Sequence, residues 1–181
     1  AVLLNDLEAA AHGVGRLESG SYRQICGPAP RAGATRVVLG CGTGHGQALW
    51  SAGHVIAGEG GHAGFAPEDA ELVDLVEGLR REHGRVSLET ILSGRGVHAL
   101  LRSCTLGPTV HAALRTEDPV VVVSSLAEQE PACARARSLF VRALGAEAGN
   151  AALRSLPSGG IWLIGGVARA LAPYLSEFDF D

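Results

Sequence analysis

Residues 40–67 decide the fold, because two glycine-rich clusters stand there one short apolar segment apart. The first cluster, GCGTGHG, occupies positions 40–46, and the second, GEGGHAGFAP, occupies positions 58–67. Glycine allows close backbone approach and positive φ, so such clusters mark places where the main chain itself contacts a ligand. Glu59 and His62 in the second cluster can converge on one small polar group. The pattern predicts a phosphate-donor site beside a site for a hydroxyl-rich substrate.

Apolar and β-branched runs on both sides of these clusters predict a set of short strands. The first cluster then becomes a strand, a glycine turn and a second strand. The segment 19–34 is rich in glycine, proline and serine and predicts a connecting loop with an edge strand near 22–25. The other predicted strands cover 1–4, 35–39, 46–50, 54–57 and a buried strand at 161–164.

Helical periodicity dominates the rest of the chain. Valine propensity favours a strand at 120–123, but the acidic continuation SSLAEQE favours a helix, which we expect. Ser87 is the expected N-cap of one helix, Gly84 ends another, and Gly159 with Gly160 ends the longest. Helices are predicted near 7–17, 67–83, 88–92, 95–104, 108–115, 131–156 and 167–176. Strands first, helices afterwards and one late strand predict an α/β lobe with a mixed sheet.

Composition limits the classes of function. A chain of 181 residues suits one domain, and its net charge of −4 without basic clustering argues against a nucleic-acid partner. Cys26, Cys41, Cys104 and Cys133 lack the spacing of a zinc site, so no metal site is predicted and the thiols are expected to be reduced. No segment resembles a signal peptide or a membrane span, so we expect a soluble, cytoplasmic protein. The absence of methionine predicts a fragment of a larger protein, or else a processed or engineered chain.

Asp6 and the first cluster are candidates for phosphoryl chemistry. Asp6 follows the predicted strand 1–4, where a carboxylate can accept a proton from an attacking hydroxyl; the alternative is a helix cap. A glycine turn with Thr43 at its middle can bind phosphate oxygens through backbone N–H groups and a hydroxyl. The alternative is an ordinary hairpin turn, and no GK[ST] follows that would make a P-loop.

Glu59 and His62 are the strongest candidates for binding hydroxyl groups. Hydrogen bonds to charged groups contribute about 1.5–3 kcal/mol each, enough to select a polyol. The alternative for His62 is a structural histidine, and the alternative for Glu89 is a solvated carboxylate in the first turn of a helix. Gly165 and Gly166 end the late strand, where they could pack against a flat base or form a tight strand–helix junction.

Taken in order, the motifs resemble those of bacterial-type glucokinases, sugar kinases of the hexokinase–actin–heat-shock ATPase superfamily. The resemblance covers nearly the whole chain, and the pairing of EGGHxxFAP with GxVSxExxLSG is specific. The motifs are LLNDLEA, VVLGCGTGHGQA, GEGGHAGFAP, GRVSLETILSGRGV, AGNAAL and GGIWLIGGVAR. The resemblance implies the α/β, actin-like (ribonuclease-H-like) ATPase fold, with residues 1–181 as its large C-terminal domain carrying a mixed sheet and helices.

The resemblance also implies roles for individual residues. Asn5 and Asp6 correspond to a sugar-binding asparagine and the catalytic aspartate, which also contacts the sugar. Glu59, His62 and Glu89 correspond to residues that bind sugar hydroxyls. The implied reaction is ATP-dependent phosphorylation of the glucose 6-hydroxyl, with Mg²⁺ entering with ATP, in a homodimer.

On the nucleotide side, the resemblance places Gly42, Thr43 and Gly44 at the phosphates and assigns Gly165 and Gly166 to the adenosine motif. The cysteine-rich zinc motif of related sugar kinases and repressors is absent, which indicates the non-zinc branch.

Two further departures concern the nucleotide side and the extent of the chain. His45 stands where the family usually has leucine, which could alter donor affinity. The family's DxGGT phosphate motif is absent, so we expect the small N-terminal domain and the C-terminal end to be missing and the isolated chain to be weak or inactive. The alternatives are a non-catalytic sugar-binding or regulatory relative and a kinase for another hexose.

Overall fold

The computed structural model describes residues 4–18, 20–56 and 58–177, which contain one four-stranded mixed sheet. Its strand order is β3-β2-β1-β4, with β1 antiparallel to β2 and parallel to β4. β1 therefore ends beside the end of β4, and Gly40 pairs with Ile164. The strands are β1 Arg36–Cys41, β2 His45–Ser51, β3 His54–Ile56 and β4 Ile161–Ile164.

The described part of the chain also contains eight α-helices. Short 3₁₀ segments lie at Val14–Arg16, Gly60–His62 and Ala172–Glu177. The helices are α1 Asp6–Gly13, α2 Ala70–His83, α3 Leu88–Ile91, α4 Gly94–Arg102, α5 Pro108–Ala113, α6 Pro119–Leu126, α7 Pro131–Ser155 and α8 Gly166–Leu171.

The two faces of β1 are covered by different helices. Because side chains alternate along a strand, Val38 packs with Ala11 of α1 on one face, while Val37 and Leu39 pack with Ala148 of α7 on the other. The helices from α2 to α8 share a separate, larger apolar core. The sheet is thus held between α1 and α7.

Helix α1 begins at the carboxyl end of β1. A Cβ added to Gly40 would lie 3.0 Å from Leu7 Cδ1, and one added to Gly46 would lie 3.3 Å from Leu7 Cγ. At the other end of the strand, Arg36 Nε donates to the carbonyl of Ala11 at 3.0 Å. The first residues of α1 therefore lie at the sheet edge that carries the glycine turn.

Most predicted elements are confirmed, including the mixed sheet and the helix over 119–126. Ser87 caps α3 by accepting from the N–H of Thr90, and Gly84 ends α2 with φ of 78°. Part of the predicted strand 1–4 lies outside the described residues, and Leu4 is not in a strand. The predicted strand over 54–57 is confirmed for His54–Ile56, and residue 57 is not described.

Three local predictions are wrong. No strand forms near 22–25, where the Tyr22 ring packs edge-on against Trp162 with centroids 4.9 Å apart. Helix α2 begins at Ala70 instead of near 67, because the Asp69 side chain accepts from the N–H of Leu72 at 2.8 Å. Strand β4 is half-buried, since in the described part of the chain it pairs with β1 alone.

The end of α7 also differs from the prediction. The helix ends at Ser155, and Leu156 adopts the left-handed conformation with φ of 44°. Gly159 serves another purpose: its N–H donates to the Thr35 carbonyl at 2.7 Å, and a Cβ there would lie 2.5 Å from the Ala34 carbonyl oxygen. The glycine is required because two backbone segments meet closely.

Candidate active site

The glycine turn between β1 and β2 lies beside the glycine pair that follows β4. Cys41 pairs with His45 across the turn, whose tip carries the exposed Thr43. Gly165 has φ of 103°, and a Cβ on it would overlap the carbonyl oxygen of Cys41. The predicted phosphate turn and the predicted adenosine motif are therefore neighbours, held in contact through backbone atoms.

The turn is also tied to the start of α4. The N–H of Gly42 donates to the carbonyl of Gly44 at 2.9 Å, and the carbonyl of Gly42 accepts from the N–H of Gly94 at 2.8 Å. A Cβ added to Gly42 or Gly166 meets nothing within 4 Å, so open space borders both glycines. The turn is thus held by α4 and borders open space. Such a turn can accommodate a nucleotide phosphate, which backbone N–H groups and a hydroxyl can bind.

Glu89 is held against this turn. Its Oε2 accepts from the N–H of His45 at 3.2 Å, and its Oε1 accepts from Arg95 Nη2 at 2.8 Å. A Cβ on Gly44 would lie 2.6 Å from the same Oε2. The Glu89 side chain is only 23% exposed. The alternative of a solvated helix carboxylate is therefore wrong, and Arg95 is a partner that the sequence did not indicate.

The second glycine cluster lies on the other side of His45. A Cβ on Gly61 would overlap the His45 carbonyl oxygen, so only glycine fits there. The cluster is joined to the start of α3, because the N–H of Leu88 donates to the carbonyl of Ala63 at 2.9 Å. Glu59 and His62 remain exposed, with His62 Nε2 3.9 Å from Glu59 Oε2. His62 is thus not a buried structural histidine, and both side chains are accessible to a ligand.

Asn5, not Asp6, caps α1. Asn5 Oδ1 accepts from the N–H of Glu8 at 2.7 Å, and Glu8 Oε2 accepts from the N–H of Asn5 at 3.3 Å. Asp6 is exposed and accepts from the adjacent Leu7 N–H at 2.9 Å. The alternative that Asp6 serves as the helix cap is wrong. Because Leu7 packs on Gly40, Asp6 lies at the sheet edge that carries the glycine turn.

A buried group of polar side chains lies behind the turn. His45 Nδ1 is 3.4 Å from Cys41 Sγ, and His45 Nε2 is 3.3 Å from Gln47 Nε2. Burial lowers the pKa of His45 to about 4, although the charge of Glu89 and the backbone of Leu92 oppose the shift. Burial also raises the pKa of the Cys41 thiol to about 12. At neutral pH His45 is therefore an uncharged ring and Cys41 a thiol.

Sequence reasoning missed the residue that anchors this group. Glu147 of α7 is 3% exposed, accepts from Gln47 Nε2 at 2.7 Å and pairs with Arg154. A signal was present: Glu147 stands one helical turn from the apolar residues Leu144 and Ala151, on the buried side of the helix. A charge on an apolar face needs a partner, but the sequence does not identify that partner.

A family model described as Glucokinase matches residues 1–181. The chain belongs to the glucokinase family. It is 36% identical over 183 residues to the glucokinase of Mesorhizobium japonicum, an alignment that covers 99% of this chain and 53% of that protein. The chain thus spans about half the length of the curated relatives it matches.

Solved glucokinase structures share the fold. Glucokinase from an Antarctic psychrotroph superposes with a TM-score of 0.78 at 29% identity, covering 96% of this chain and 55% of that one. A ROK family glucokinase from Streptomyces griseus, solved with glucose and AMPPNP, superposes with a TM-score of 0.66 at 20% identity, covering 97% and 56%. The expected actin-like ATPase fold is confirmed. Within the described ranges, no helix has the length and apolar character needed to cross a membrane.

Proposed function

We propose that this member of the glucokinase family takes part in ATP-dependent phosphorylation of glucose to glucose 6-phosphate. The observation that carries the proposal is the position of His45. Its N–H binds the Glu89 carboxylate, its carbonyl lies against Gly61, and it closes the turn that contains Thr43. A turn suited to phosphate and a cluster suited to hydroxyl groups therefore both adjoin one residue, and transfer between two ligands requires such proximity.

On the sugar side, the proposed acceptor is the 6-hydroxyl group. Asp6 takes the hydroxyl proton as the oxygen attacks the γ-phosphorus in line with the leaving oxygen. The residues proposed to orient the sugar are Asn5, Asp6, Glu59, His62 and Glu89. Asn5 uses its Oδ1 as a helix cap, which leaves its amide N–H groups for a sugar oxygen.

On the nucleotide side, the proposed contacts are mainly backbone groups. Gly42, Thr43 and Gly44 face the phosphates, and Gly165 and Gly166 face the adenosine. Open space beside Gly42 and Gly166 supports this arrangement. The chemistry that Mg²⁺ would supply, arriving with ATP, is positive charge beside the transferred group.

We propose that residues 1–181 act as the large sugar-binding domain of a cytoplasmic homodimer without a nucleic-acid or membrane partner. The net charge of −4 and the family resemblance support this assignment. A DxGGT phosphate motif does not occur in the 181 residues. We therefore expect the 181-residue chain to bind glucose but to phosphorylate it slowly.

The test is a coupled assay of glucose 6-phosphate formation by the full-length gene product, with ATP and a panel of hexoses. We expect turnover that is fastest with glucose and is lost in Asp6→Asn. Calorimetric glucose binding without turnover would instead support a non-catalytic sugar-binding relative. Faster turnover of mannose or an amino sugar would assign another substrate to the same site.

A further inference from the structure

A series of hydrogen-bonded polar side chains connects the surface of α7 to the glycine turn through the interior. It runs from Arg154 to Glu147 of α7, then to Gln47 of β2 and to His45. Glu147 is 3% exposed and His45 6% exposed. Buried polar groups are costly unless they are hydrogen-bonded. Here the hydrogen bonds connect a charged residue of α7, through Gln47, to His45 in the first glycine cluster.

The donors and acceptors in this series permit only one assignment of the hydrogen atoms. A carboxylate only accepts, so the Gln47 atom 2.7 Å from Glu147 Oε1 is the amide nitrogen. The same nitrogen lies 3.3 Å from His45 Nε2 and must donate to it as well. His45 therefore carries its proton on Nδ1. The direction of every bond follows from the negative charge of Glu147.

His45 and Gln47 together set the distance between the sugar-side groups. The N–H of His45 holds Glu89, while its carbonyl lies against Gly61. A Cβ on Gly60 would lie 2.7 Å from Gln47 Oε1, so the Gln47 side chain packs directly on that backbone. A shift of the Gln47 amide would move Glu89 and the Gly60–His62 segment relative to each other.

We propose that Gln47, held by Glu147, is a positioning residue for the sugar site. It binds the ring of His45, which it keeps in the Nδ1–H tautomer, and it packs on the backbone of Gly60. It thereby holds the His45 backbone, whose N–H binds Glu89, in place beside the Gly60–His62 segment. This inference rests on the proposed function, since the sugar is the ligand whose affinity it controls. Gln47 contacts neither sugar nor nucleotide in this account and acts through its neighbours.

The first test compares Gln47→Leu with the same substitution at Gln129, an exposed residue after α6. We expect Gln47→Leu to raise the calorimetric Kd for glucose about tenfold, whereas Gln129→Leu leaves it unchanged. The second readout is the ¹⁵N spectrum of the His45 ring, assigned by its loss in His45→Leu. The wild type should show one Nδ1–H tautomer, and Gln47→Leu should show a mixture.

A double variant separates positioning from stability. Gln47→Leu alone leaves the buried carboxylate of Glu147 without its amide donor and lowers the Tm. Gln47→Leu with Glu147→Leu replaces both partners by apolar groups, which should restore much of the Tm. We expect the glucose Kd of the double variant to stay raised, because His45 still lacks its donor.

An unchanged Kd in Gln47→Leu, recovery of the Kd together with the Tm, or an unchanged His45 spectrum would each overturn the inference. Failure of the proposed function looks different, since the wild-type full-length protein would then not phosphorylate glucose, whether or not it binds it. The His45 spectrum would still decide whether Gln47 fixes the ring.

Discussion

The two sides of the site differ in how firmly their side chains are held. We call His45, Gln47 and Glu89 the inner wall, and Asp6, Glu59 and His62 the outer rim. The Glu89 side chain is 23% exposed and bonded to a backbone N–H and to Arg95, whereas that of Glu59 is 88% exposed with His62 3.9 Å away. We propose that both carboxylates bind sugar hydroxyls, yet only that of Glu89 is positioned by the protein alone.

The inner wall is therefore preorganised for a ligand, whereas the outer rim must become ordered when a ligand binds. A carboxylate held before binding loses little conformational freedom when the sugar arrives, so its hydrogen bonds contribute more to affinity. Exposed rim side chains become ordered by the ligand itself. Substitutions in the inner wall should therefore change both stability and binding, whereas those in the outer rim should change function alone.

The largest expected effect is at the rim, in Asp6→Asn. We expect turnover to fall about 10²–10⁴-fold, the usual contribution of a general base, in a coupled assay of the full-length gene product. The Tm should stay close to wild type, because Asp6 is exposed and asparagine keeps the local acceptor for Leu7. The glucose Kd should change far less than turnover. A near-normal kcat would show that Asp6 is not the base.

The next effect is on stability, in Gly165→Ala. The positive φ of 103° and the overlap with the Cys41 carbonyl should lower the free energy of unfolding by on the order of 3 kcal/mol in urea denaturation. Gly166→Ala is the matched control, since its Cβ meets nothing within 4 Å and should change stability by about 0.5 kcal/mol or less. Equal effects at both positions would contradict the close contact between the ends of β1 and β4.

Protonation of His45 should make the free energy of unfolding depend on pH, with an effect of similar size. Its folded pKa of about 4 lies below the ordinary 6.5, so its stabilisation is complete above pH 6.5 and is lost as the pH falls toward 4. The loss is at most about 1.4 kcal/mol per pH unit, or about 3 kcal/mol across that window. Between pH 7 and 4, the free energy of unfolding of His45→Leu, measured by urea denaturation, should fall less steeply than that of the wild type.

The smallest effects distinguish the two glutamates. Glu59→Gln should raise the glucose Kd about tenfold by calorimetry and leave the Tm unchanged, because no buried contact is lost. Glu89→Gln should raise the Kd by more and also lower the Tm, since the charge held by His45 N–H and Arg95 is removed. Identical behaviour of the two variants would remove the distinction between wall and rim.

The sequence predicted the local structure around the candidate site well where the signal is local. The glycine turn, the Ser87 cap and the proximity of Glu59 to His62 depend on residues within a few positions of one another. The prediction that Gly159 ends α7 was wrong. A glycine just after a helix resembles a stop signal, but here it permits two backbone segments to approach closely. Leu156 gives no signal at all, since leucine rarely adopts positive φ.

What the sequence could not provide is contact between distant segments. Gln47 and Glu147 are 100 positions apart. The apolar face of α7 marks Glu147 as a charge that needs a partner, but nothing near it in the sequence identifies Gln47. The hydrogen bond between Gln47 and Glu147 forms only because α7 packs against one face of β1 and β2. The anchoring of Glu89 by His45 depends in the same way on the Gly60–His62 segment joining α3.

We propose that Glu59 of the second glycine cluster and Glu89 of α3 bind one sugar, and titration of glucose by calorimetry is the sharpest test of that proposal. Wild-type protein should bind glucose at one saturable site, and Glu59→Gln combined with Glu89→Gln should lose most of that affinity while the protein remains folded. Saturable binding of equal strength in the double variant, or none in the wild type, would contradict the account.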